Sequence, residues 1–244
     1  MSDCTKGNSL NDYRVGGVSL FSTVDWPGHI TATVFLKGCP WRCSYCHNKH
    51  LLSKSPSVDD LFWGQVIAEL DKRRGFLDGI VFSGGEPLIS AHLAELISEV
   101  KSRGFLVGLH TNGTKPSELK TLLAKKDTEG NPFVDWVGLD IKTSFSCYDE
   151  LTCAKGSSDA VLESLASLQE SAVEYELRTT LYPEAFDKDT LHALGEELLA
   201  LGERNWILQK CREEGSNRES PLPFNLEAAR QQLLQQGFET LLIR

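Results

Sequence analysis

Cys39, Cys43 and Cys46 lie within eight residues, in the run Gly38-Cys39-Pro40-Trp41-Arg42-Cys43-Ser44-Tyr45-Cys46-His47-Asn48, spaced Cys-x3-Cys-x2-Cys. In a reducing compartment, thiols this dense point to metal binding or catalysis rather than disulfides. Two metal chemistries suit them. A structural zinc site takes four protein ligands, and His47, His50 or a distant cysteine would complete one. A [4Fe-4S] cluster held by three thiolates has one iron lacking a protein ligand, which leaves a place for a chelating small molecule. The spacing alone leaves both open, as it does reduced cysteines without a ligand.

Other polar groups follow apolar runs. Ser83-Gly84-Gly85-Glu86-Pro87 follows residues 79–82. Its glycines allow close backbone approach, and Glu86 can accept hydrogen bonds from an ammonium. His110-Thr111-Asn112-Gly113 follows residues 105–109; Asp140-Ile141-Lys142 closes residues 136–141; Arg178, Thr179 and Thr180 lie late in residues 175–181. Parallel β/α folds place active sites at these C-terminal strand ends. Asp140 and Lys142 equally fit a strand-end ion pair with no ligand.

Six short β-rich runs must position these residues: 31–36, 79–82, 105–109, 136–141, 175–181 and 206–208. They are continuous and apolar, as strands buried on both faces are. Helical stripes fall between them. Ser57 with Asp60 caps one, Ser90 opens another that Gly104 stops, and others follow Pro116, Val161 and Leu191. The alternation predicts an α/β fold with a parallel sheet. Six units are too few for a closed eight-stranded barrel, so an open or partial barrel is expected, with a flat doubly wound sheet as the alternative. Residues 14–29 read as an N-terminal hairpin with turns at Gly16-Gly17 and Pro27-Gly28. A helix over 226–236 and a run over 238–243 add a closing element. Residues 1–13 read as a loose leader, 14–244 as one domain, and 211–220 as a surface loop.

The 244 residues carry 34 acidic and 25 basic side chains, a net charge of −9. That argues against a nucleic-acid or anionic-membrane partner held by a general basic surface. No window approaches 18 consecutive apolar residues and the first residues are polar, so neither a membrane span nor a secretory signal is expected, and the chain reads as cytoplasmic.

The three-cysteine loop, with the aromatic Tyr45 before its last cysteine, resembles the radical S-adenosylmethionine (SAM) superfamily. The resemblance implies a partial (β/α)6 TIM-like barrel, a [4Fe-4S] cluster on Cys39, Cys43 and Cys46, and SAM on the remaining iron. Gly84, Gly85, Glu86 and Pro87 correspond to the family's segment facing the methionine amino group. By the same resemblance Tyr45, His47, His110, Asn112, Asp140, Lys142 and Arg178 are cofactor-binding candidates. Lys142 is suited to the SAM carboxylate, Asp140 and Arg178 to its ribose or methionine end, and His47 packs beside the cluster with its backbone near the adenine.

Residues 15–52 closely resemble the start of anaerobic ribonucleoside-triphosphate reductase activating proteins, sharing Asp25-Trp26-Pro27-Gly28, the GCPWRC loop and CHN. Residues 77–87, 107–113 and 135–142 match too; the likeness covers roughly 14–182. It implies a glycyl-radical-enzyme activase: a radical SAM oxidoreductase passing one electron to SAM, releasing methionine and a 5′-deoxyadenosyl radical that takes hydrogen from a partner's glycine. The partner would be the reductase, the electron donor a flavodoxin or ferredoxin. Two departures stand out. His110 replaces an Asp implicated in cation binding in pyruvate formate-lyase activating enzymes, and residues 208–211 lack a His found near there. Cys147, Cys153 and Cys211 read as ordinary reduced cysteines, and Cys4 as idle. The alternatives are a radical SAM enzyme acting on a small molecule, similar to 7-carboxy-7-deazaguanine synthase, and a zinc-bound adaptor.

Overall fold

Runs of Val, Ile, Leu and Phe favour the pleated, two-sided burial of a parallel sheet. The computed structural model describes residues 9–213, 216 and 218–244. In chain order its elements are β1 (Arg14–Val15), β2 (Gly17–Ser22), β3 (Thr31–Leu36), β4 (Leu61–Phe62), α1 (Trp63–Asp71) and β5 (Gly79–Gly84). Then come α2 (Leu93–Lys101), β6 (Leu106–Thr111), α3 (Pro116–Ala124), β7 (Trp136–Asp140), α4 (Tyr148–Thr152) and α5 (Ser157–Gln169). The last are β8 (Glu174–Leu181), α6 (Lys188–Ala200), β9 (Asn205–Lys210), α7 (Leu226–Gln236) and β10 (Thr240–Ile243).

Among the described residues, the large sheet runs β10-β9-β8-β7-β6-β5-β3-β2. All neighbours are parallel except β2 and β3. The order is sequential and never reverses, which excludes the doubly wound alternative. The architecture is a partial barrel, with β2 and β10 as its edges. The closing run is a further parallel strand, with Thr240 opposite Asn205 and Ile243 opposite Leu208.

Alternation along each strand separates two faces. Val34, Phe82, Leu109, Val137 and Leu139 face outward into the main core, which includes Leu96, Ile97 and Val100 of α2. The opposite positions turn into the barrel: Thr33, Val81, His110, Asp140 and Arg178. The charged groups expected at the site therefore share one enclosed face.

Several boundaries differ from the sequence expectation. The hairpin consists of β2 and β3, with a register shift between Ser19 and Ser22, while β1 pairs with β4. The helix expected from Ser57 begins at Trp63. Asp60 is otherwise committed, accepting from Ser57 N at 2.7 Å and pairing with buried Lys37 at 2.8 Å. α2 starts at Leu93 rather than Ser90, whose hydroxyl accepts from His92 N at 3.3 Å. Within the expected leader, Leu10–Asp12 forms a single 3-10 turn; residues 1–8, with Cys4, lie outside the described residues. No helix among the described residues is long and apolar enough to cross a membrane.

Candidate functional site

The cysteine loop leaves the C-terminal end of β3 and is fixed from several sides. Gly38 N donates to Leu51 O at 2.7 Å, and Cys39 N to Leu52 O at 3.2 Å. Arg42 N donates to Thr152 O at 2.8 Å, while its guanidinium reaches Cys39 O at 2.6 Å. Trp41 is buried and meets the Tyr148 ring edge-on at 5.8 Å. These contacts hold the loop without using the thiols.

The GGEP segment is stitched to this loop. Gly85 N donates to Leu36 O at 2.9 Å and Glu86 N to Gly38 O at 2.8 Å. A Cβ on Gly84 would lie 2.3 Å from Leu36 O, and one on Gly85 2.2 Å from Gly38 O. Only glycine lets the two backbones meet this closely. Pro87 opens a short 3-10 turn behind them.

Glu86 is buried, and its carboxylate is already engaged. It accepts from Leu88 N at 3.0 Å, Thr111 Oγ1 at 2.8 Å and Asn112 N at 2.8 Å. It ties the ends of β5 and β6 together. Burial raises its pKa to about 7 against the pull of those donors. Asn112 goes further, its Nδ2 lying 3.6 Å from Cys39 Sγ.

The charges form one cluster. Arg178 donates to Asp140 Oδ1 through Nε at 3.1 Å and Nη2 at 2.7 Å, and Lys142 Nζ lies 3.6 Å from Asp140 Oδ2. Burial works against the Asp140 carboxylate, but Arg178 and then Lys142 outweigh it and hold its pKa below the usual range. Burial likewise opposes the Lys142 charge, yet neighbours led by Tyr45 and Asp140 raise its pKa. The guanidinium of Arg178 lies over Gly138, where a Cβ would sit 2.8 Å from Cζ.

Burial raises the Cys39 thiol to about 11 and also raises Cys43, with Lys142 pulling both down. Metal coordination would deprotonate them. Among the described residues no three His, Cys, Asp or Glu side chains gather closely enough to share one metal ion. Three thiols on one loop, acted on by the half-buried cation of Lys142, suit a cluster that spreads its thiolates over separate irons. Tyr45 Oη, buried and without a hydrogen-bond partner among the described residues, suits a ligand beside them.

His110 Nε2 donates to Asp25 O at 2.7 Å, and the ring meets Trp136 at 5.6 Å. Burial, and then Arg178, lowers its pKa to about 3, so it is neutral. His47 is exposed and its Nε2 donates to Arg212 O at 3.0 Å, with Cys211 Sγ 3.7 Å away. Cys147 and Cys153 are exposed.

Sequence reasoning missed two tyrosines. Tyr182 stacks on Tyr45 at 5.2 Å, and the Tyr148 hydroxyl accepts from Lys142 N at 3.1 Å and donates to Asp140 O at 3.2 Å. Period-two alternation from Arg178 and Thr180 pointed to Tyr182. No local signal pointed to Tyr148.

A family model described as Radical SAM superfamily matches residues 33–195, a span holding the cysteine loop and each strand-end group just described. The chain belongs to the radical SAM superfamily. Two relatives from Methanocaldococcus jannaschii carry the name glycyl-radical enzyme activating enzyme. One is 29% identical over 189 residues, 75% of this chain and 74% of its own length. The other is 30% identical over 200 residues, 79% of this chain and 69% of its own. A pyruvate formate-lyase-activating enzyme of Staphylococcus aureus is 30% identical over 130 residues, 51% of each. Within the superfamily the chain falls in the glycyl-radical enzyme activating family. Among solved structures, a radical SAM methyltransferase from Sphaerobacter thermophilus superposes with TM-score 0.63 at 14% identity, covering 90% of this chain and 67% of that one. SuiB of Streptococcus suis bound to S-adenosylmethionine gives 0.60 at 13%, covering 85% and 48%. At these identities the structures speak to the radical SAM fold alone.

Proposed function

We propose that this radical SAM protein activates a glycyl radical enzyme, and that its partner is anaerobic ribonucleoside-triphosphate reductase. Cys39, Cys43 and Cys46 would hold a [4Fe-4S] cluster, with SAM beside it and a flavodoxin or ferredoxin as electron donor. When bound, the cluster and SAM supply one-electron cleavage to methionine and a 5′-deoxyadenosyl radical, which takes a hydrogen atom from a glycine of the partner.

The observation that carries this reading is the convergence of the strand ends. Lys142, drawn toward Asp140 and Tyr45, would offer its half-buried ammonium to a carboxylate ligand. Asp140, charged and anchored by Arg178, accepts hydrogen bonds from hydroxyl or amino groups. Tyr45 and Tyr182 give a stacked aromatic wall for a flat base. Gly84 and Gly85 let the segment before Glu86 pack directly on the backbone at the start of the cysteine loop. The names of the relatives and the likeness of residues 15–52 support the protein partner; among the described residues β2 and β10 pair on one side only, which would leave the side of the barrel open to a loop.

The test is anaerobic reconstitution with iron and sulfide, reduction, and addition of SAM and the candidate reductase, read by electron paramagnetic resonance and a 5′-deoxyadenosine assay. A glycyl-radical doublet on the reductase is expected. Abundant 5′-deoxyadenosine without the doublet would reject this partner in favour of another glycyl radical enzyme or a small-molecule substrate. A fully loaded protein giving neither would overturn the radical SAM chemistry proposed here.

A further inference from the structure

We infer that Asn112 tunes the reduction potential of the centre on the cysteine loop by donating a side-chain N–H to the Cys39 sulfur. The inference rests on the cluster reading above and goes beyond it, because it assigns Asn112 to the metal's ligand rather than to SAM.

The geometry is built, not incidental. Thr114 N donates to Asn112 Oδ1 at 3.0 Å, which fixes the orientation of the amide and leaves Nδ2 facing Cys39 Sγ at 3.6 Å. The backbone is locked as well. Asn112 N donates to Glu86 Oε2 at 2.8 Å, and Gly113 N to Thr111 Oγ1 at 3.1 Å. Ser164 Oγ donates to Gly113 O at 2.7 Å from helix α5. Gly113 has φ +77°, so the turn bends in a way that a side chain there would resist. Asn112 itself is only 5% exposed. An amide buried and held this way is kept from water, and among the described residues Cys39 Sγ is the acceptor its Nδ2 meets.

The chemistry follows from charge. Reduction adds an electron that is shared onto the thiolate sulfurs. A donor N–H on one of them stabilises the reduced form more than the oxidised form and raises the potential. The Glu86 carboxylate acts on the Cys39 thiol in the opposite sense. Asn112 stands between the two and offsets it.

The experiment compares wild type, Asn112→Leu and Asn112→Asp, each reconstituted anaerobically and assayed for iron and sulfide. Midpoint potentials are then measured by dye-mediated titration without SAM or partner. The leucine variant, similar in size but without the donor, is expected to be about tenfold harder to reduce, about 59 mV more negative for a one-electron couple. The aspartate variant keeps the oxygen that holds Thr114 and sets a second oxygen against the sulfur, so it should fall further. If the leucine variant takes up no cluster, the aspartate variant carries the comparison. Wild type labelled with 15N-asparagine gives a readout free of variants, namely a nitrogen coupling to the reduced cluster. Equal potentials at equal loading, a loss of melting temperature alone, or no 15N coupling would overturn the inference. Wild type that binds no iron and sulfide would instead overturn the cluster reading on which it rests.

Discussion

The mouth and the floor of the barrel both depend on pairs of glycines, but only at the floor does a movable side chain share the space. At the mouth, Gly84 and Gly85 make room for backbone: their missing Cβ atoms would meet carbonyl oxygens of Leu36 and Gly38 at 2.3 and 2.2 Å. At the floor, Gly108 makes room for a side chain, since its Cβ would meet the Trp26 ring at 2.9 Å, while a Cβ on Gly79 would meet both Leu106 O at 2.9 Å and the Trp26 ring at 3.0 Å. Trp26, from the tip of the β2–β3 hairpin, is buried there against Val81 and stacks on Trp136 at 5.6 Å with the planes 16° apart. Side chains can shift by a few tenths of an ångström; a hydrogen-bonded backbone cannot do so without moving what it carries. The mouth is thus intolerant because it positions chemistry, and the floor is costly but separable because it supplies stability.

The sharpest way to break this comparison is Gly85→Ala. Displacing Gly38 moves the start of the cysteine loop, so iron and sulfide uptake should be lost almost completely. Normal loading would show that the stitching does not position the thiols. Trp26→Ala comes next. It should cost about 3–5 kcal/mol of stability through the cavity it leaves, visible in denaturant melts, while the folded fraction still loads iron. Gly108→Ala should cost less, about 1–3 kcal/mol from overpacking against a movable ring. If it abolished iron uptake as Gly85→Ala does, the distinction between the two ends would fail.

The smallest effects concern pH. His110 is lowered to about 3 in the fold, so between that value and its ordinary 6.5 the unfolded chain binds a proton that the native state does not. Stability therefore falls as pH drops below about 6.5. Glu86 is raised to about 7, so between 4.5 and 7 the native state holds the extra proton, and its contribution weakens as pH rises. Each slope is at most about 1.4 kcal/mol per pH unit. Melts from pH 4 to 8 should show His110→Gln losing the acid-side decline and Glu86→Gln losing the opposing one. Unchanged slopes would mean that these groups titrate normally.

Much of the mouth was legible in the sequence because its signals are local: a cysteine spacing, two glycines before a glutamate, polar residues directly after apolar runs. The strands were legible for the same reason, mostly within a residue or two. The floor was not. Asp25-Trp26-Pro27-Gly28 reads as a turn, and nothing nearby says that Trp26 lands on Gly79 and Gly108, which are 53 and 82 residues away. The role of Glu86 was also hidden. A carboxylate after two glycines can face an ammonium, and only the register placing Leu36 opposite Gly84 shows it turned toward Thr111 and Asn112. The start of α1 was misread because Asp60 serves Lys37 rather than a helix cap.

The most direct test of the central claim is reductive SAM cleavage by wild type and Cys43→Ser under identical anaerobic loading and dithionite reduction. Wild type should yield 5′-deoxyadenosine and methionine in equal amounts, and the folded serine variant neither. Cleavage retained by Cys43→Ser would contradict the assignment of Cys39, Cys43 and Cys46 as the ligands of the reacting centre.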